Sequence, residues 1–135
     1  MERFEISNTN KSLEVNNASI ADSRFVNVCA ERLYMENITL AGTKITDANL
    51  SDLEIDGAQL GGAFIHNIGL PPEGHPHYEP DKKQRPLRFE NCMLNDSTIV
   101  NCNLTNVEIS DCNITGLKIN GILVEDLLRE YAKLK

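Results

Sequence analysis

Tryptophan is missing from this 135-residue sequence, and the other aromatics are few: four Phe and three Tyr, 5% of the chain. A core built around large rings is thereby excluded, and whatever the chain buries has to be aliphatic. No apolar run approaches the roughly 20 residues that a membrane helix needs. The opening stretch, MERFEISNTNKSLEVNN, holds no apolar export segment, so a cytoplasmic chain is expected, with its four cysteines reduced and no disulfide framework. Bases are outnumbered by acids, 13 to 20, for a net charge of −7. That balance argues against direct nucleic-acid binding and against an anionic membrane surface. Proline is absent from all but one stretch: all five lie within 71–86, PPEGHPHYEPDKKQRP.

What the sequence does have is a period of five. Val15, Ile20 and Phe25 begin a series that runs in steps of five to Leu70, through Leu50 and Leu60. It resumes one register over at Phe89 and continues through Leu94, Ile99, Leu104 and Ile109 to Val124. All twenty of these centres are apolar, in a chain that is 41% hydrophobic overall. Neither the helical period of 3.6 nor the strand period of 2 produces this spacing, so the chain is a repeat sequence. Two residues before each centre lies an uncharged and mostly small residue, such as Ala18, Ala48, Ala58, Cys92, Cys102 or Cys112. That separation places both side chains on one side of an extended piece. Two residues after the centres come Asn17, Asp22, Asn27, Arg32, Asn37, Gly42, Asp47, Asp52, Gly57, Gly62 and Asn67. The second series gives Asn91, Asp96, Asn101, Asn106, Asp111, Gly116 and Gly121. Seventeen of these eighteen are Asn, Asp or Gly, which tolerate left-handed backbone. A short extended piece followed by a corner is predicted every five residues.

On these residues the chain resembles the pentapeptide-repeat family, most clearly in ANLSD at 48–52 and CNLTN at 102–106. The resemblance covers about 13–70 and 87–124. It implies an all-β solenoid, a right-handed quadrilateral parallel β-helix with 20 residues per turn. About five coils are expected, closed by a C-terminal capping α-helix. The expected organisation is one domain: an N-terminal cap segment over 1–12, with RFEI at 3–6 as a cap strand, coils 1–3 over 13–70, an inserted loop over 71–86, coils 4–5 over 87–121, and the capping helix over 122–135. Phe25, Leu50, Leu60, Phe89 and Leu104 would then form the inward core with Cys92, Cys102 and Cys112. The cysteine spacing of ten is two repeats, so these thiols read as small packing residues and not as metal ligands. Cys29 falls outward in this register and is the more reactive candidate. Within the helix, Glu125 and Arg129 are spaced to pair, and Leu127, Leu128, Tyr131 and Leu134 share a face. A monomer, or a homodimer formed through that helix, is expected.

Charge divides unevenly. The coil segments 13–70 and 87–121 hold 12 acids and 5 bases, while the first twelve residues, the loop and the final segment are each neutral by count. A 20-residue turn would gather Glu14, Glu36, Glu54, Asp56, Glu90 and Glu108 into one acidic wall. The sequence offers no nucleophile–base pair and no phosphate-cradling glycine loop, so neither catalysis nor a cofactor is expected. The expected function is that of a protein-interaction module with an unidentified protein partner. It would act through the acidic wall and through His75, His77, Tyr78, Glu79 and Asp81 of the loop, since loops carry function more often than regular walls do. Two rivals stand beside it. Some pentapeptide-repeat proteins are similar to a DNA duplex in shape and charge and protect DNA gyrase. That implies a modulator of gyrase or topoisomerase IV, both type II topoisomerases. The alternate histidines His75 and His77 could instead share one side of an extended segment and bind a metal.

Overall fold

The computed structural model describes residues 2–135. The chain divides into two units, Met1–Gly61 and Gly62–Lys135. In both, the local backbone follows the five-residue rule closely. All eighteen corner residues named above have positive φ, between 51° and 81°. Arg32, the one corner residue that is not Asn, Asp or Gly, turns with the rest at 59°. A left-handed L-residue with a full side chain costs about 1–2 kcal/mol, so the surrounding repeat imposes the corner even where the residue type opposes it.

Corners alternate between two forms. In one, the carbonyl of the centre accepts a bond from the amide three residues on: Ile20 from Ser23 at 3.2 Å, Leu40 from Thr43 at 3.0 Å, and Leu50 from Leu53 at 3.1 Å in the first unit. The second unit repeats it with Leu94 and Ser97 at 3.2 Å, and Leu104 and Val107 at 3.0 Å. A positive φ two residues past the centre is what a type II turn requires. The intervening corners are open bends. Asparagine just before a centre tightens the closed form. Asn49 Oδ1 accepts from the Ser51 amide at 3.1 Å and its hydroxyl at 2.7 Å. Asn103 Oδ1 does the same for Thr105 at 3.0 and 2.6 Å. The best repeat motifs, ANLSD and CNLTN, are thus the best-bonded corners.

The expected solenoid is not formed. Regular structure among the described residues consists of two short antiparallel strands and one helix, with no parallel ladder linking successive turns. The reason lies in what the repeat specifies. Corner geometry is local and follows from Asn, Asp and Gly. Stacking would instead require each piece to pair with one 20 residues away and to meet the loop-closure cost that such pairing carries. The backbone bonds of the repeats instead close within the alternate, closed corners.

The expected core fails with it. No described residue is buried. Phe25 is 66% exposed and Leu104 52%, and Leu50, Leu60 and Phe89 are exposed as well. Cys92, Cys102 and Cys112 are also exposed, so Cys29 is not distinguished from them by accessibility. RFEI at 3–6 forms no strand.

The most ordered part of the second unit is its C-terminal end. Strand β1, Lys118–Ile119, pairs antiparallel with β2, Ile122–Leu123, in the register Lys118 to Leu123 and Ile119 to Ile122. Asn120 and Gly121 make the connection at φ 49° and 81°, the two left-handed residues of a type I′ hairpin turn. Helix α1, Val124–Ala132, follows at once, two residues later than the expected start at 122, because Ile122 and Leu123 are held in the hairpin. Two bonds fix its entry. The Val124 amide donates to the Leu117 carbonyl at 3.0 Å, and Glu125 Oε1 accepts from the Gly116 amide at 3.0 Å. Glu125 is therefore not paired with Arg129 as its spacing suggests. Arg129 instead bonds Asp126 at 3.0 Å, and Lys133 bonds Glu130 at 2.8 Å. Ile114, Leu117, Leu123, Val124 and Glu125 are half-buried here.

Candidate functional site

The 71–86 segment lies in the second unit and is shaped by its prolines and one glycine. His75 N–H donates to the Pro72 carbonyl at 3.0 Å, Tyr78 N–H to His75 at 2.9 Å, and Lys82 N–H to Glu79 at 3.2 Å. Three tight turns thus follow one another, over 72–75, 75–78 and 79–82. Gly74, at φ 91°, takes the third position of the first, where a positive φ favours glycine. Pro76 and Pro80 sit second in the other two, the position at which a fixed φ suits a turn. The loop is pre-bent by its own sequence. Glu79 meets Lys82 at 3.5 Å with both side chains exposed, a contact worth about 0.5 kcal/mol.

This geometry alters the expected placement of the histidines. They do not project from an extended segment. His75 opens the middle turn and His77 sits third in it, and the turn carries the two rings to a centroid separation of 5.6 Å, tilted at 45°. The His77 amide donates to His75 Nδ1 at 3.1 Å. Tyr78 follows at 40% exposure. Among the described residues no third His, Cys, Asp or Glu joins the pair in a ligand group, so Glu79 and Asp81 are in the loop but not assembled around the rings.

The acidic wall depended on one 20-residue turn lying over the next, and it goes with the ladder. Three of its six members have local partners instead. Glu14 accepts from the Asn16 side chain at 2.9 Å, Glu36 accepts from the Tyr34 hydroxyl at 3.1 Å, and Glu90 pairs with Arg88. Glu14, Glu36, Glu54 and Asp56 belong to the first unit, and Glu90 and Glu108 to the second.

Two further features escaped the sequence reading. Phe64 and His66 stack at 4.0 Å and 10°, with the Asn67 side-chain amide 3.2 Å from His66 Nδ1. Their spacing of two on an extended piece was the available signal. The three regularly spaced cysteines share one local contact: Cys92, Cys102 and Cys112 each donate to the carbonyl two residues earlier, at 3.3, 3.4 and 3.1 Å. Their common spacing gives them a common conformation.

Compared with protein families, with curated proteins and with solved structures, the chain finds no match in any of the three. No helix among the described residues is long and apolar enough to cross a membrane.

Proposed function

We propose that the chain is a non-catalytic interaction module that engages a protein partner through the 71–86 loop and the exposed apolar residues of the repeats beside it. One observation carries this reading. The chain exposes 14969 Å², whereas a compact protein of 15.1 kDa exposes about 7,000 Å². Much of the excess is aliphatic, and apolar surface on that scale marks a surface that associates. A repeat chain of this kind orders further when its partner covers it, and so binds over a wide area. The loop supplies the specific element, because its turns are set before binding and its ordering cost is already met. The gyrase-protecting alternative needs a continuous acidic face built by stacked coils, and loses its footing with them.

Deletion of 72–85 tests the assignment. The shortened chain is expected to keep the helical signal of Val124–Ala132 and to lose the proteins that the full chain captures at stoichiometric levels. Undiminished capture by the deleted chain would place the contact outside the loop.

A further inference from the structure

His75 and His77 are the pair of imidazoles that the loop brings together, and the turn around Pro76 holds them there without help from distant residues. We propose that the pair is an open, two-imidazole site for a borderline divalent transition-metal ion such as nickel(II), within the loop assigned above to partner contact but not dependent on a partner. The separation fits. A metal–nitrogen distance of about 2.0–2.1 Å places each ring centroid about 3.2 Å from the ion. Two imidazoles on one ion at angles of roughly 90–120° then lie about 4.5–5.5 Å apart by centroid. The observed 5.6 Å lies just beyond that range, so a small closing movement of exposed rings completes the site. Imidazole is the ligand that selects nickel, copper and zinc over magnesium and calcium. With no third protein ligand among the described residues, water fills the remaining positions.

The hydrogen bond between the two histidines sets the terms of binding. His75 Nδ1 accepts the His77 amide, so neutral His75 carries its proton on Nε2. For Nε2 to ligate, that proton has to move to Nδ1, and the amide bond is given up. No net proton is released by this step, and the His77 amide becomes a direct reporter of it. The alternative, ligation through Nδ1, displaces the same amide bond.

Nickel(II) chloride titrated into the full chain tests the site. The thiols are alkylated first, since all four cysteines are exposed and would compete. One ion per chain is expected by calorimetry, with paramagnetic broadening of amide signals confined to the loop around 74–79. Losing even an outer hydrogen-bond partner of a ligand costs about tenfold in metal affinity, and losing a ligand costs at least that. His75→Ala and His77→Ala are each expected to weaken binding by that margin, and His66→Ala to leave it unchanged. Absence of saturable binding would overturn the proposal. So would histidine variants that bind as the parent does, or broadening centred on His66.

Discussion

Gly121→Val is expected to remove most of the helical signal of the protein, a large effect for one exposed residue. Gly121 holds φ 81° in the two-residue turn. A β-branched side chain there opposes the left-handed backbone by about 1–2 kcal/mol. The helix that follows has only nine residues, and one of that length is marginal in water unless tethered. Its tethers are the bond from the Val124 amide to the Leu117 carbonyl and that from the Gly116 amide to the Glu125 carboxylate. Both reach back across the hairpin, so opening the turn releases both. Ellipticity at 222 nm measures the result. Gly121→Asn is the matched control, because asparagine tolerates the left-handed region and should keep the helix. Equal helicity in the valine variant would mean that α1 stands without its hairpin.

Leu104→Asp separates the two meanings that an apolar repeat centre can have. In a packed core, truncating a leucine costs about 2–5 kcal/mol, and introducing a charge costs more. Leu104 is 52% exposed here, and its local bonds are made by its backbone carbonyl and by Asn103. A surface substitution away from special features changes stability by about 0.5 kcal/mol or less. The structure of the free chain, read from the helix and the corner amides, is therefore expected to be unchanged. Partner capture is expected to weaken. Covering one leucine contributes about 1.5–3 kcal/mol, which corresponds to a loss of affinity of about tenfold or more. Collapse of the free chain on this substitution would show that Leu104 is a core residue after all.

The two series of residues read from the sequence fared differently for a physical reason. Corner residues announce themselves, because the preference of Asn, Asp and Gly for left-handed backbone is intrinsic and needs no distant partner. Even Arg32 follows its neighbours. The centres announce only a spacing. That Val15, Ile20 and Phe25 recur every five residues says that they share a local environment, and not which segment covers them. The step from spacing to a 20-residue turn was non-local, and the acidic wall and the inward cysteines rested on it. At the C-terminus the period itself concealed a stronger signal. Ile119 and Val124 continue the series of centres, yet the Asn120–Gly121 pair between them is a hairpin turn in its own right, and it decides the backbone. In the loop, the sequence showed the cluster of prolines but not that Pro76 and Pro80 each stand second in a turn. Reading His75 and His77 as alternate residues of an extended segment overlooked the proline between them.

Native-state hydrogen exchange on the free chain, resolved to single amides, tests most directly whether the repeats form corners without a buried core. Protection is expected at Gly116 and Val124, at the hairpin and in the bonded turns of Val124–Ala132, where local opening carries a cost. At the closed corners, the amides of Ser23, Thr43, Leu53, Ser97 and Val107 should be slowed only slightly, and the extended pieces between 13 and 113 should exchange at rates close to those of an unstructured chain. Strong, cooperative protection running through 13–113 would contradict the account, since only a ladder between successive turns could produce it.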